Sequence, residues 1–332
     1  MNNHLLPFPY NQSSRPTWLQ RAVQPLSDLL WRRPAQHASP NPSTTAIPLP
    51  PPNDGNTLAP VRIICISDTH NATPPLPPGD ILIHAGDLTV HGTFAEVQAQ
   101  LRWLSSQPHT HKVVIAGNHD ILLDASNAGV LALADNVPGR HALDWGGIRY
   151  LQDEAVAVDL PMPGLETRRV KIYGSPLTPE CGRWAFQYPA IRDVWTGRVP
   201  DDTDILVVHG PPALYGDCDG EMGPTGRVKV KGDGYLLREI RRVKPKMVVC
   251  GHIHGAYGTA VMRHDGNQDV EDGLQMRWEG YDLFGVLKQI FRNRKTPGND
   301  GDGPAETLVV NAAVAPSAVE SEGKSPITVD FH

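Results

Sequence analysis

Five short polar motifs, each directly after an apolar run, constrain this chain most. The runs are rich in β-branched residues and cover 61–67, 81–85, 113–116, 205–208 and 247–250. The motifs that follow them are Asp68-Thr69-His70, Gly86-Asp87, Gly117-Asn118-His119-Asp120, His209-Gly210-Pro211-Pro212 and Gly251-His252-Ile253-His254. Such runs predict short strands that are buried on both faces. Because ligands bind beyond the carboxyl ends of strands in open α/β sheets, the five motifs together predict a metal site.

This ordered set resembles the signature of the calcineurin-like metallophosphoesterases, which reads D-x-H, G-D, G-N-H-[DE], a single H and G-H-x-H. Further segments, Ile172-Tyr173-Gly174-Ser175-Pro176 among them, resemble the metallophosphoesterase-domain-containing (MPPED) branch. The resemblance covers about 61–264 and resumes at about 306–332. It implies an α/β fold of the metallo-dependent phosphatase type, a four-layer sandwich of two mixed β-sheets flanked by helices. The alternation of strands and helices by itself indicates only the α/β class.

The resemblance also implies two divalent metal ions, with Mn²⁺ expected and Fe, Zn or Mg as alternatives. Imidazole and carboxylate ligands suit Zn, Fe or Mn better than Ca. Asp87 is expected to bridge the two ions. The other expected ligands are Asp68, His70 and His254 for one ion and Asn118, His209 and His252 for the other. Residues two apart on a strand end point the same way, so His252 and His254 are expected to reach adjacent ions.

Phosphate esters are hard to hydrolyse because water is a poor nucleophile and the phosphate is already negative. Two adjacent cations address both difficulties. His119 follows an expected ligand and is predicted to be the general acid, since histidine titrates in the useful range. Asp120 is expected to cap a helix over 120–134. Substrate contacts are predicted for Asn118, Arg183, Tyr215 and His91.

The resemblance to the MPPED branch favours a phosphoesterase that hydrolyses phosphodiesters, cyclic nucleotides being one candidate class, by a metal-bridging hydroxide with His119 as acid. A phosphomonoesterase is one alternative. A non-catalytic metal-binding scaffold or protein-interaction module on the same fold is another. The net charge of −6 and the pI near 6.1 argue against general nucleic-acid binding and disfavour nucleic-acid cleavage. The expected partner is a small-molecule phosphate ester, such as a nucleotide.

Two regions lie outside the resemblance. Residues 1–60 are rich in Pro and polar residues and are predicted to be a disordered arm, within which 18–31 could form an amphipathic helix. The domain is predicted to span 61–332, with an insertion at about 265–305. Within the insertion, 281–294 is predicted to be a helix with one apolar face. That face either packs back on the domain or contacts a second copy, another partner or a membrane surface.

The expected compartment is the cytoplasm, because four cysteines in 332 residues do not form a disulfide framework. The N-terminus is poor in acidic residues, which leaves a mitochondrial transit peptide as the alternative. No apolar run approaches the roughly 20 residues of a membrane-spanning helix. Further predicted elements are helices over 93–107 and 234–243, two strands within 147–175, and strands over 307–311 and 327–331. The aromatic segment 177–203 is predicted either to line the cleft or to cover the core edge.

Overall fold

The strands that carry the five motifs lie at the centres of two β-sheets. The structure, a computed structural model, describes residues 47–48, 60–126, 139–161, 167–218, 231–264, 305–316 and 322–332. All of them belong to one compact unit, His37–His332. The prediction of a disordered arm over 1–60 falls mostly on 1–46 and 49–59, which lie outside the described residues, whereas Ile47–Pro48 form a short strand paired with Val329 and Asp330. The predictions for the insertion beyond 264 and for the helix over 281–294 also lie outside the described residues and stay predictions.

The described strands, in chain order, are β1 (Ile47–Pro48), β2 (Val61–Ile66), β3 (Ile81–Ala85), β4 (His111–Ile115), β5 (Ile148–Tyr150), β6 (Glu154–Leu160), β7 (Arg168–Ser175), β8 (Thr178–Pro179), β9 (Gln187–Tyr188), β10 (Ile205–Val208), β11 (Met247–Cys250), β12 (Gly258–Arg263), β13 (Glu306–Asn311) and β14 (Ile327–Phe331). The described α-helices are α1 (Phe94–Ser105) and α2 (Gly234–Val243). Short 3₁₀ turns cover Ile121–Leu123, Arg140–Ala142 and His254–Ala256.

The first sheet has the order β1-β14-β2-β3-β4-β5, and the second has the order β12-β13-β11-β10-β7-β6. Strands β2 to β5 are parallel, as are β7, β10, β11 and β13. Strand β14 pairs antiparallel with β2, and β6 and β12 pair antiparallel with their neighbours, so both sheets are mixed. Because the motif-bearing strands are parallel, their carboxyl ends lie on one edge of each sheet.

Alternating side chains divide the core into three apolar layers. Ile63 and Ile83 of the first sheet share one cluster with Val207 and Val249 of the second, in the layer between the sheets. The other face of the first sheet packs on α1, through residues such as Leu101. The outer face of the second sheet packs on α2. The layers therefore run helix, sheet, sheet, helix, and the predicted four-layer architecture is confirmed.

The helices predicted over 93–107 and 234–243 are present as α1 and α2, and each begins at a side-chain cap. Thr93 and Glu96 form a capping box at the start of α1, and Asp233 accepts from two backbone amides at the start of α2. Each cap contributes about 1 kcal/mol. The segment 147–175 holds three strands rather than the two predicted, because the chain turns at Asp153, whose φ is 55°. Strand β12 at the sheet edge has no counterpart in the sequence-based prediction.

The prediction of a helix over 120–134 is wrong for its first turn, which is not α-helical. The chain forms only a 3₁₀ turn at Ile121–Leu123, and 127–138 lie outside the described residues. Asp120 does not cap this turn. Over the ranges that the structure describes, no helix is long and apolar enough to cross a membrane.

Candidate metal centre

The motif loops meet where the carboxyl edges of the two sheets adjoin. The amide of Ser67, after β2, donates to the carbonyl of Ala312, after β13, at 2.8 Å. The amide of Asp68 donates to Gly86 O at 2.9 Å, which joins the first two motifs. The amide of Gly251 donates to His209 O at 2.9 Å and joins the last two. Backbone hydrogen bonds therefore hold these loops together independently of their side chains.

One group of candidate ligands consists of Asp68, His70 and His254. Nε2 of His254 lies 3.2 Å from Oδ1 of Asp68 and 3.4 Å from Nε2 of His70. Both carboxylate oxygens of Asp68 also accept from the amide of His252, at 3.1 and 2.9 Å. The Asp68 carboxylate is thereby fixed in orientation while it faces two imidazoles.

A second group consists of Asp87, His209 and His252, and Asn118 joins it. Nε2 of His209 lies 3.3 Å from Oδ2 of Asp87 and 3.1 Å from Oδ1 of Asn118. A third group combines Asp87 with His70 and His119. Within each of the three groups the ligand atoms lie within 4.8 Å of one another. Asp87 thus lies between the two sets of side chains that the resemblance assigns to separate ions.

The imidazoles are oriented by backbone carbonyls. Nδ1 of His70 lies 3.1 Å from Thr89 O, Nδ1 of His209 lies 2.9 Å from Ala85 O, and Nδ1 of His254 lies 3.2 Å from Pro316 O. A carbonyl oxygen only accepts, so each Nδ1 carries the proton of its hydrogen bond. Each Nε2 is left facing the centre, which is the tautomer that a metal-binding histidine needs.

Charge is concentrated at this site. Burial would raise the pKa of Asp68, but the hydrogen bond from His254 and the charge of His209 outweigh it and lower that pKa. Burial also opposes charge on His209, yet the Asp87 and Asp68 carboxylates raise its pKa to about 9. Burial lowers the pKa of His252 to about 4. The buried carboxylates of Asp68 and Asp87 therefore stay ionised and attract positive charge.

The ligand loops have left-handed backbone, which corrects the expectation that the ligands lie on strand ends. Strand β2 ends at Ile66, and Asp68 and His70 then have φ values of 55° and 44°. Asp87 and His252 have φ values of 55° and 66°. Such values are uncommon for residues with a Cβ and concentrate at functional sites. Turn geometry, and not strand alternation, brings His252 and His254 to adjacent groups.

Two motif glycines leave room for the carboxylates. A Cβ on Gly117 would lie 2.3 Å from both the amide nitrogen and Oδ1 of Asp87. A Cβ on Gly251 would lie 2.1 Å from Oδ2 of Asp68. No side chain fits at these distances, so glycine is required by the close approach of backbone to ligand.

His119, the predicted general acid, lies beside Asp87 and is half-buried. Its amide donates to Oδ1 of Asp87 at 2.8 Å, and its Nδ1 lies 2.8 Å from Val90 O. Its ring stacks on Trp184, with ring centroids 4.1 Å apart and an interplanar angle of 26°. Trp184 lies in the aromatic segment 177–203, so part of that segment borders the site.

Asp120 has a different role from the predicted helix cap. Its buried carboxylate accepts from the amides of Gly117, Leu88 and Thr89, at 2.8, 3.2 and 3.0 Å. The hydroxyl of Thr89 donates to it as well, at 2.8 Å. Asp120 therefore fastens the loop that carries Asn118 and His119 to the loop that carries Asp87.

The predicted substrate contacts fall in different places. Asn118 lies among the candidate ligands, and Arg183 and His91 are exposed on loops next to Trp184 and Val90. The structure corrects the placement of Tyr215, which is 2% exposed in the core beside α2 rather than in the cleft. Its apolar neighbours along the chain, and its position in the loop after β10, are consistent with a core residue.

Sequence reasoning named Trp184 only as one aromatic of the segment 177–203, predicted either to line the cleft or to cover the core edge, and did not name Thr89. Thr89 contacts both His70 and Asp120, but a threonine after Gly-Asp carries no distinctive signal. His84 is fully buried, and its Nε2 lies 3.0 Å from the hydroxyl of Thr69. Burial lowers the pKa of His84 to about 3, so it is a neutral core residue next to the site.

The family model for calcineurin-like phosphoesterases matches residues 61–256. The chain belongs to this family. The match includes every candidate ligand, and the two β-sheets agree with the metallophosphatase fold.

Several proteins are similar to this family member. The "probable rhamnogalacturonate lyase C" of Emericella nidulans is 38% identical over 277 residues, which cover 82% of this chain and 24% of that protein. Metallophosphoesterase domain-containing protein 1 of Homo sapiens is 37% identical over 216 residues, covering 59% of this chain and 61% of that protein. The crystal structure of TT1561 of Thermus thermophilus is 14% identical, covers 61% of this chain and 84% of that chain, and has a TM-score of 0.36.

The chain thus spans about a quarter of the fungal protein and about three fifths of the human one. The residues present fit the divalent metal ions that this family implies. Two groups of imidazole and carboxylate donors adjoin one another, Asp87 lies between them, and the Nδ1 hydrogen bonds direct three Nε2 atoms to the centre. Nitrogen and carboxylate ligands of this kind suit Zn, Fe or Mn.

Proposed function

We propose that this phosphoesterase hydrolyses phosphodiesters with two divalent cations held by Asp68, His70, Asp87, Asn118, His209, His252 and His254. The observation that carries the proposal is the position of Asp87 between two ligand groups. The backbone amide of His119 donates a hydrogen bond to the same carboxylate. Two adjacent cations, when bound, would lower the pKa of a water between them and attract the phosphate oxygens.

The protein's own residues would supply orientation and a proton. The ionised Asp68 and Asp87 carboxylates hold positive charge at the centre, and the carbonyl-bound imidazoles keep their Nε2 atoms directed to it. Nδ1 of His119 is held by Val90 O, so Nε2 is the atom that can donate a proton to the departing alkoxide. A general acid in this role contributes about 10² to 10⁴ in rate.

The choice of diester over monoester rests on the resemblance to the MPPED branch. The lyase in the fungal relative's name is not carried over to this chain, because the matched region is a minor part of that protein and the ligands here belong to phosphoesterase motifs. Small diesters, including cyclic nucleotides, are the proposed substrates.

The test is hydrolysis of bis(4-nitrophenyl) phosphate and of 4-nitrophenyl phosphate by Mn²⁺-loaded protein. Asp87→Ala is expected to abolish turnover of both esters, whereas His119→Asn should slow a diester with a more basic leaving group, such as methyl phenyl phosphate, far more than these 4-nitrophenyl esters. His141→Asn, which changes an exposed histidine in a 3₁₀ turn, serves as the matched control and should retain turnover. A higher rate on the monoester would make the protein a phosphomonoesterase. Metal binding without hydrolysis of either ester would favour the scaffold alternative.

A further inference from the structure

The indole of Trp184 covers one face of the His119 imidazole. The two ring centroids are 4.1 Å apart and the rings are 26° from parallel. The ring of His70 contacts the same imidazole edge-on from another direction, with ring centroids 4.8 Å apart and an interplanar angle of 78°. The Nδ1 hydrogen bond to Val90 O fixes one atom of the ring but not its plane. The two ring contacts define that plane and so determine where Nε2 points.

The backbone around Trp184 is itself fastened to the metal-site loops. The amide of Ala185 donates to Asn118 O at 3.0 Å, one residue before His119. The amide of Phe186 donates to Oδ2 of Asp124 at 2.9 Å, and the amide of Trp184 donates to Oε1 of Gln187 at 3.2 Å. The indole and the imidazole are therefore placed by one shared set of hydrogen bonds, which limits their relative movement.

We propose that Trp184 is a positioning residue that holds the His119 imidazole in the orientation needed to protonate the leaving group. This inference rests on the proposed function. In the step itself, hydroxide, formed when water loses a proton to solvent, makes a new bond to phosphorus. The phosphorus–oxygen bond to the leaving group breaks, and the proton moves from Nε2 of His119 to the leaving oxygen. The demand for this proton grows with the basicity of the leaving group, because a weakly basic phenolate departs without it.

The experiment compares methyl aryl phosphodiesters whose leaving group ranges from 4-nitrophenolate to phenolate and 4-methoxyphenolate, with Mn²⁺-loaded full-length protein. Trp184→Leu is expected to slow kcat on the 4-methoxyphenyl ester by about tenfold to a hundredfold, since small misplacements cost up to about 10². On the 4-nitrophenyl ester it should stay within about twofold of wild type. Trp184→Phe keeps an aromatic face and should restore most of the loss.

Two controls separate positioning from general damage. Trp145→Leu removes another aromatic contact, with Tyr150 at 4.8 Å, and should leave the dependence on leaving group unchanged. When it is added to His119→Asn, Trp184→Leu should not change the dependence of kcat on leaving-group basicity any further. The proposal would be overturned if Trp184→Leu lowered kcat equally on every ester. It would also be overturned if Trp184→Leu still steepened the dependence on leaving-group basicity in His119→Asn.

A second readout does not depend on turnover. In metal-free protein with labelled histidine, the ring proton signals of His119, identified by their loss in His119→Asn, should show the ring-current shift of a stacked indole. Trp184→Leu should remove that shift, and Trp184→Phe should retain part of it. Unchanged signals in Trp184→Leu would contradict the contact itself. If wild type hydrolyses no ester in the series, the proposed function fails, whereas a uniform loss in an active enzyme refutes only the role of Trp184.

Discussion

The amide of His119 donates a hydrogen bond to Oδ1 of Asp87 at 2.8 Å, and the other oxygen of that carboxylate faces both ligand groups. Oδ2 lies 3.3 Å from Nε2 of His209 and 3.9 Å from Nε2 of His70. One oxygen thus orders the loop of the proposed general acid, while the other would be free to hold the proposed cations. Because Asp87 contacts both ligand groups, its substitution should change the metal content of the protein.

Asp87→Ala should lose both metals, because Asp87 is the proposed shared ligand. Wild-type protein reconstituted with Mn²⁺ and dialysed is expected to retain about two ions per chain, and Asp87→Ala fewer than about one. His254→Ala, which changes one group only, should retain about one. Elemental analysis of the dialysed proteins measures this, with His91→Ala as an exposed-histidine control. Equal losses in Asp87→Ala and His254→Ala would contradict a bridging role.

Metal binding should release a proton from His209. Its pKa of about 9 means that metal-free protein carries this imidazole protonated at pH 7, whereas a metal needs it neutral. Metal affinity should therefore rise with pH between about 7 and 9. Calorimetry in buffers of different ionisation enthalpy counts the released protons, and His209→Gln should release about one fewer at pH 7. An unchanged count in the variant would assign the proton to another group.

His84 should make metal-free protein less stable as the pH falls. Its pKa of about 3 lies below the ordinary value of 6.5, so between these values the unfolded chain binds a proton that the folded chain does not. This group alone lowers the free energy of unfolding by up to about 1.4 kcal/mol per pH unit as pH decreases through that window. The free energy of unfolding, measured with denaturant at about pH 6.5, 5.5 and 4.5, should fall less per pH unit in His84→Gln than in wild type. An identical slope would rule out His84 as the titrating group.

Gly117→Ala should damage the centre through the backbone. The new Cβ would meet Asp87 at 2.3 Å and displace its carboxylate, with a loss of about 10² in kcat from misplaced ligands. Gly147→Ala is the matched control, because no atom lies within 4 Å of its Cβ position. Activity and metal content of the two variants check this. Near-normal values for Gly117→Ala would mean that the loop relaxes without moving Asp87.

The elements that could be predicted from sequence are those with a local cause. The strands ending at 66, 85, 115, 208 and 250 form where the apolar runs were found, because β-branched residues suit positions buried on both faces. The periodicity of 93–107 and its Thr93–Glu96 capping box are likewise local, and α1 is present. The grouping of ligands around Asp87 came from the family resemblance, since spacing alone does not pair His254 with Asp68.

Other features depended on contacts between distant segments. Asp120 follows a motif and precedes a helix-like stretch, yet amides 3, 31 and 32 residues away bind its carboxylate. Tyr215 follows a candidate ligand by six positions, but it is buried in the apolar cluster on the outer face of the second sheet. Neither outcome has a periodic signal, because each depends on how a loop packs against a segment distant in the chain.

The sequence by itself determined which chemistry this chain can carry, because carboxylate, amide and imidazole groups follow the five motif-bearing strands and their order matches one family. Only the tertiary structure decided how those groups are arranged. The left-handed turns at Asp68, Asp87 and His252 set their directions, and Trp184, 65 residues beyond His119, stacks on the proposed acid. The physical reason is that residue type and periodicity specify strands and donors, whereas orientation arises from packing and hydrogen bonds between segments far apart in the chain.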